Sequence, residues 1–210
     1  EYSNKKDGQG NDTTENDNRG NLKQKTVNGV TTNYTYYENN PDRLKTVNGV
    51  TLTYDTIGNV LSYGDKYYTW SSGRNLASIT EGNNSYLYRY NKYGYRTSKT
   101  VNGVTTDFNV AEDGTIVSQK TGNDILYFEY AEDGTPLGFV LNDTQYLYIT
   151  NNSADVMAIA DSTGNVIATY SYNEWGEVTV NATGNNLTIA NLNPLRYRGY
   201  YYDSETGYYY

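Results

Sequence analysis

The sequence predicts an all-β fold, an array of antiparallel β-hairpins, on three observations. One ten-residue phrase occurs three times, as KTVNGVTTNY at 25–34, KTVNGVTLTY at 45–54 and KTVNGVTTDF at 99–108. The turn glycines Gly94, Gly114 and Gly134 are spaced by 20 residues, the mark of an array of like supersecondary units. Tyr occurs 26 times against 3 Phe, 2 Trp and 1 Met, and no window rich in Ala, Leu, Glu and Lys carries a 3.6-residue period.

Each element follows from its local chemistry. In the repeated phrase Asn28-Gly29, Asn48-Gly49 and Asn102-Gly103 stand between runs of Val, Thr and Tyr or Phe. A two-residue type I′ turn needs positive φ at both central positions, which Asn and Gly tolerate, so each pair is a hairpin turn. A looser unit recurs as LTYDTIGNVLSY (52–63), YTWSSGRNLASI (68–79), YRYNKYGYRTSK (88–99), FNVAEDGTIVSQ (108–119), FEYAEDGTPLGF (128–139), AIADSTGNVIAT (158–169) and YSYNEWGEVTV (170–180). Its parts are a pair of aromatic or β-branched residues, a polar turn ending in Gly, and another short strand. One period is one hairpin, and about nine fit the chain. No helix is expected.

Composition excludes several classes of function. With no His and no Cys, disulfides, thiol nucleophiles, Ser/His/Asp triads and nearly all transition-metal sites fall away, and no cofactor is expected. Net charge is −8 without a basic stripe, which argues against nucleic acid as a partner. No apolar run reaches the roughly 18 residues of a membrane span. The opening at Glu1, without initiator Met or signal peptide, is the expected look of a piece of a longer protein.

The segments YLYITNNSADVMAIADSTGNVIATYSYNEWGEV (146–178) and NPLRYRGYYYDSETGYYY (193–210) are similar to the C-terminal part of the Rhs/YD-repeat proteins, bacterial relatives of Tc toxin shells and animal teneurins. The resemblance covers roughly residues 25 to 210, and RYRGYYYDSETG at 196–207 is its most specific piece. Ala154-Asp155, NEWG at 173–176 and Tyr208 depart from the family's usual residues. The resemblance implies a curved sheet forming part of a hollow β-shell, with an Rhs-associated core segment closing it around a C-terminal toxin. It implies as partners the neighbouring repeats and the enclosed toxin, and a secreted or cell-surface bacterial location. Residues 1–22 are then a flexible lead-in, 23–180 the hairpin array, and 181–210 the start of the closing segment. About 18 strands at ~4.8 Å spacing close a ring only ~27 Å wide, too narrow for a 100-residue domain of ~34 Å, so the chain is a section of wall.

Individual residues carry competing readings. The acidic turns AEDG (111–114, 131–134) and DSTG (161–164) lack the alternating carboxylate spacing of a Ca²⁺ loop and read as solvated turns. Asp203 and Glu205, two apart, could form an acid–base pair on one strand face, but Thr206-Gly207 favours a turn cap. Arg196 and Arg198, flanking Tyr197 before Gly199, are read with Asp203 and Gly207 as a structural lock, in which the guanidinium groups pair with Asp203 or stack on Tyr200 to Tyr202. A rival reading makes the tyrosine rows a glycan-binding surface, with Trp70 and Trp175 as contacts. On the residues present, the chain is expected not to be an enzyme.

Overall fold

The computed structural model describes residues 13–27 and 29–210 and divides the chain into two compact units at Leu87/Tyr88. Antiparallel hairpins in series build both, so the fold is all-β as the sequence predicts.

The first unit is a meander of β1 (Thr13–Asn16), β2 (Leu22–Val27), β3 (Val30–Tyr37), β4 (Asn40–Val47), β5 (Val50–Tyr54), β6 (Val60–Tyr63), β7 (Lys66–Ser71), β8 (Asn75–Glu81) and most of β9 (Asn84–Tyr90). Each strand pairs antiparallel with the next. Strand structure thus starts ahead of the expected Lys23, because Asp17 Oδ1 accepts the N–H groups of Arg19 and Asn21 and closes the turn between β1 and β2. The rest of the expected lead-in, residues 1–12, and Asn28 lie outside the described residues.

The second unit continues through β10 (Arg96–Val101), β11 (Val104–Val110), β12 (Ile116–Thr121), β13 (Asp124–Tyr130), β14 (Pro136–Leu141), β15 (Thr144–Thr150), β16 (Val156–Asp161), β17 (Val166–Tyr172) and β18 (Val178–Asn181). Then the character changes: α1 (Asn185–Leu192), a single 3₁₀ turn at Tyr197–Gly199, and a small hairpin of β19 (Tyr202–Asp203) and β20 (Tyr208–Tyr209). The helix corrects the expectation of none. It carries no amphipathic period and is held from outside, with Ala190 fully buried and its carbonyl accepting the Tyr170 hydroxyl at 2.7 Å.

Two kinds of turn alternate along most of each meander. Asn48 (φ 48°) with Gly49 (φ 81°), and Asn102 (φ 49°) with Gly103 (φ 88°), have the left-handed backbone of type I′ turns, and Gly29 has φ 77°. Asn142-Asp143 adopts the same conformation (φ 46° and 69°) without a glycine. Asn48 and Asn142 each reach back as well: Asn48 Oδ1 accepts Asn33 N–H at 2.7 Å and Asn142 Oδ1 accepts Ile125 N–H at 3.0 Å, extending the ladder by one rung. In the longer turns an Asp or Asn carboxyl or amide oxygen accepts the N–H groups two and four residues on, as Asp55 does from Ile57 and Asn59. Where that position is Ala111 or Ala131, Asp113 and Asp133 instead accept from Thr115 and Thr135, both at 2.9 Å. The aspartates of the acidic turns are therefore engaged by their own backbone.

The strand that follows most of the longer turns begins with a β-bulge, as at Val110↔Ile116, Tyr130↔Pro136 and Thr150↔Val156. A bulge strands a carbonyl, and an aromatic side chain from the next hairpin supplies its donor. Tyr36 bonds Leu22 O, Tyr54 bonds Leu44 O, Trp70 Nε1 bonds Val60 O, Tyr130 bonds Ile116 O and Tyr172 bonds Val156 O, at 2.6–3.0 Å. This is why tyrosine outnumbers phenylalanine: the ring packs and the hydroxyl satisfies a half-buried backbone group. Tyr130→Phe is expected to cost about 1–3 kcal/mol by orphaning that carbonyl, whereas Tyr127→Phe, at a ring 55% exposed, should change the urea midpoint little.

In the second unit one sheet face is covered by the segment after β18. Phe108, Leu126, Phe128, Phe139, Ile159 and Tyr170 from the strands meet Ala190, Leu195 and Tyr201 from that segment in a single buried cluster. Trp70, offered as a glycan contact, has its indole N–H committed to the sheet, while Trp175 is 44% exposed in the β17–β18 turn.

Candidate functional site: a buried ion cluster at the closing segment

The bulges also decide which residues face the core. In a regular strand, positions i and i+3 point to opposite faces, but the bulge resets the alternation. Ile116 and Gln119, Pro136 and Phe139, Val156 and Ile159 are consequently all buried. Twenty residues earlier in the same register stand Arg96 and Lys99, which are 2% and 8% exposed. Two cations thus occupy places where later repeats hold mostly apolar side chains.

Their counter-charges arrive from the end of the chain. Arg96 grips Asp203 with both terminal nitrogens, Nη1 to Oδ2 at 2.5 Å and Nη2 to Oδ1 at 3.1 Å. Lys99 Nζ donates to Asp203 Oδ1 at 2.9 Å and to both oxygens of Glu205 at 3.0 Å. Two cations and two carboxylates close the charge balance, as burial demands. The Arg96 guanidinium also lies 4.3–5.4 Å from the ring centres of Tyr88, Phe108, Tyr201 and Tyr210, and its Nε is buried with no hydrogen-bond partner. Gln119 accepts the Tyr201 hydroxyl at 2.7 Å and Tyr210 accepts Arg96 N–H at 2.9 Å, so the closing segment is tied down on both sides of the cluster.

The residues singled out from sequence are gathered in this segment with different partners from those expected. Arg196 does not pair with Asp203. Its guanidinium stacks 4.5 Å from the Tyr202 ring centre and its Nε donates to Asn193 O, because Asp203 points away to β10. Arg198 sits at φ 53°, gives its backbone N–H to Asp155 Oδ1 at 2.8 Å and lays its guanidinium over Tyr197. Gly199 (φ 68°) passes so close to Pro136 that a Cβ would meet its ring at 3.0 Å, and Gly207 donates to Asp203 O at 2.8 Å. Glu205 shares Lys99 with Asp203, so the pair does stand together, held by cations. Asn193 was not singled out, yet it is fully buried and takes the Tyr148 hydroxyl at 2.5 Å while donating to Leu195 O at 2.9 Å. Among the described residues no group of three His, Cys, Asp or Glu gathers as a metal set would.

Burial also sets the tyrosine chemistry. It pushes Tyr90 up to about 12, with Arg96 opposing, and Tyr209 up to about 12. It raises Tyr88 and Tyr201 further, with Asp203 adding to the effect in both. A folded-state value above the ordinary 10.0 means the unfolded chain ionises first, so this contribution to stability is intact below 10.0 and is lost as pH rises through the folded values. An absorbance titration of phenolate should show a late class of tyrosines that ionises together with loss of the β-sheet circular dichroism signal. A single class titrating at the ordinary value in the folded chain would contradict this.

Comparison with known proteins places these features. No family model matches the chain. It is 36% identical over 164 residues to the tRNA3(Ser)-specific nuclease WapA of Bacillus spizizenii, and 35% identical over 164 residues to the tRNA nuclease WapA of Bacillus subtilis. In both cases 75% of this chain is covered and only 7% of the relative's length. The fold is similar to that of a TcdB2-TccC3-Cdc42 crystal structure (TM-score 0.72, 19% identity) and of a Photorhabdus luminescens Tc holotoxin pore (TM-score 0.69, 19% identity), each over 95% of this chain and 11% of the other. These relatives correct the expectation that the protein is not an enzyme: the curated ones are nucleases, and the lack of His and Cys in a stretch spanning 7% of such a protein says nothing of the remainder. With its serial Asx-turned hairpins, its RYRGYYYDSETG closing segment and these likenesses, the chain belongs to the Rhs/YD-repeat proteins.

Proposed function

We propose that this chain is a section of wall in the YD-repeat shell of a larger bacterial toxin, secreted or displayed at the cell surface, whose whole protein cleaves tRNA. The likeness to Tc toxin chains over 95% of its residues carries the shell reading, and the identity to WapA nucleases supports the activity of the parent. The neighbouring repeats and a C-terminal toxin domain are its partners. The net charge of −8 puts contact with tRNA, a polyanion, in another part of the parent. In this reading the absence of a nucleic-acid partner is proposed for the wall alone and not for the whole protein. Glycans are not proposed, since none of the relatives is named for one.

Limited proteolysis of the purified parent tests the wall role, with the toxin region probed by antibody and tRNA cleavage assayed in parallel. The toxin region should survive in the intact parent and be digested when it is made alone. Equal digestion in both settings would remove encapsulation, and parent protein that leaves tRNA intact after release of its C-terminal region would remove the nuclease assignment.

A further inference from the structure

We infer that Lys99 and Asp203 are the two ends of an intramolecular isopeptide bond, formed by the folded chain itself with Glu205 as proton carrier. The inference rests on the geometry of the ion cluster and is independent of the shell reading. Three observations carry it. The nucleophile and the acyl carbon are already adjacent, with Lys99 Nζ 2.9 Å from Asp203 Oδ1. A second carboxylate touches the same amine with both oxygens at 3.0 Å. The site is nearly dry, with side-chain exposures of 10% for Lys99, 5% for Asp203 and 11% for Glu205, and the Tyr201 ring centre is 5.2 Å from Nζ.

The reaction balances without any external reagent. Lys99, as its ammonium, passes a proton to Glu205, whose two oxygens stand 3.0 Å from Nζ. The amine lone pair then attacks Cγ of Asp203, forming the C–N bond as charge gathers on Oδ2, where Arg96 Nη1 sits at 2.5 Å as an oxyanion-holding donor. Glu205 relays two of the three ammonium protons to Oδ1, which departs as water, and the third stays on the amide nitrogen. Glu205 ends as it began, a carboxylate. Arg96 remains bonded to the new amide carbonyl. Held contact replaces chance encounter, which is how a weakly electrophilic carboxyl can react at all.

Intact-mass spectrometry of the folded 210-residue chain, followed by tryptic mapping, tests the bond. The chain should be lighter by one water, and a branched peptide should join residues 97–120 to residues 199–210. Lys99→Arg should restore the full mass while keeping a cation in place, and Glu205→Gln should slow formation of the branched peptide by about 10²-fold or more. Full mass and only linear peptides in a folded wild-type chain, after incubation from mildly acidic to mildly alkaline buffer, overturn the inference. So does a water loss carried only by linear peptides at Asp113-Gly114 or Asp133-Gly134, which marks a succinimide there.

Discussion

Compared with freshly folded wild-type chain still at full mass, in which Lys99 and Asp203 are an ion pair, Asp203→Ala is expected to destabilise the second unit by about 3–5 kcal/mol, the scale seen when one partner of a buried ion pair is removed and the other is left charged. The loss is large because Asp203 serves two cations at once: Arg96, 2% exposed, and Lys99, 8% exposed, have no water to fall back on. Glu205 can still neutralise Lys99, so the orphan is Arg96, whose Nε already lacks a partner. Urea denaturation followed by the fluorescence of Trp175 reports on this unit, and Trp70→Phe in the background removes the other tryptophan of the chain. A compensated variant sharpens the result. Replacing Arg96 and Asp203 together by Met and Leu, which leaves the Lys99–Glu205 pair in place, should recover most of the stability, since an apolar core at these positions is what the later repeats nearly have. An Asp203→Ala midpoint equal to wild type would show that the cluster is not holding the closing segment.

Phe139→Ala is expected to cost about 3–5 kcal/mol, the usual loss for a buried phenylalanine. Phe139 has no exposed surface, stacks on Tyr146 with ring centres 5.0 Å apart and lies 5.6 Å from Tyr148. The hole cannot close easily. Its neighbour Gly138 already lies against the Tyr146 backbone, where a Cβ would meet the carbonyl oxygen at 2.3 Å, so strands β14 and β15 have no slack to draw together. The adjacent Leu137, 48% exposed, provides the contrast: Leu137→Ala should stay within about 0.5 kcal/mol of wild type. Similar losses at the two positions would mean that the closing segment does not seal this face in solution.

Much of the fold could be read from residues alone, because hairpin chemistry is local. Asn48-Gly49 and Asn102-Gly103 announce their turns, and the 20-residue spacing of Gly94, Gly114 and Gly134 announces the array. What escaped was long-range. Nothing in NNLTIANL favours a helix; α1 exists because Ala190 is buried and its carbonyl accepts the Tyr170 hydroxyl from β17. Of the closing residues, Arg196, Arg198, Gly199, Asp203 and Gly207 were visible by their motif, but the partners of Asp203 were not. The alternation rule sends Arg96 and Lys99 to opposite faces, yet both are buried, as are the matching positions of the bulged strands β12, β14 and β16. A sequence signal did exist. Aligning the repeats at 20 residues sets Arg96 and Lys99 over Ile116 and Gln119, Pro136 and Phe139, Val156 and Ile159, and a charged pair in a mostly apolar column asks for a counter-charge elsewhere.

The spacing of contacts along the chain has a consequence for how the second unit comes into being. Its strands pair with their immediate successors, so each hairpin can close as soon as it leaves the ribosome, at low cost in loop entropy. The contacts of Asp203 with Arg96 and Lys99 span 107 and 104 residues and become available only after every strand between them has been made. Until Asp203 and Glu205 emerge, β10 carries two cations with no counter-ion, on a face that is meant to be dry. Completion of the ion cluster therefore follows the pairing of the strands between its two halves, and it can be reached only where those repeats have stacked in register.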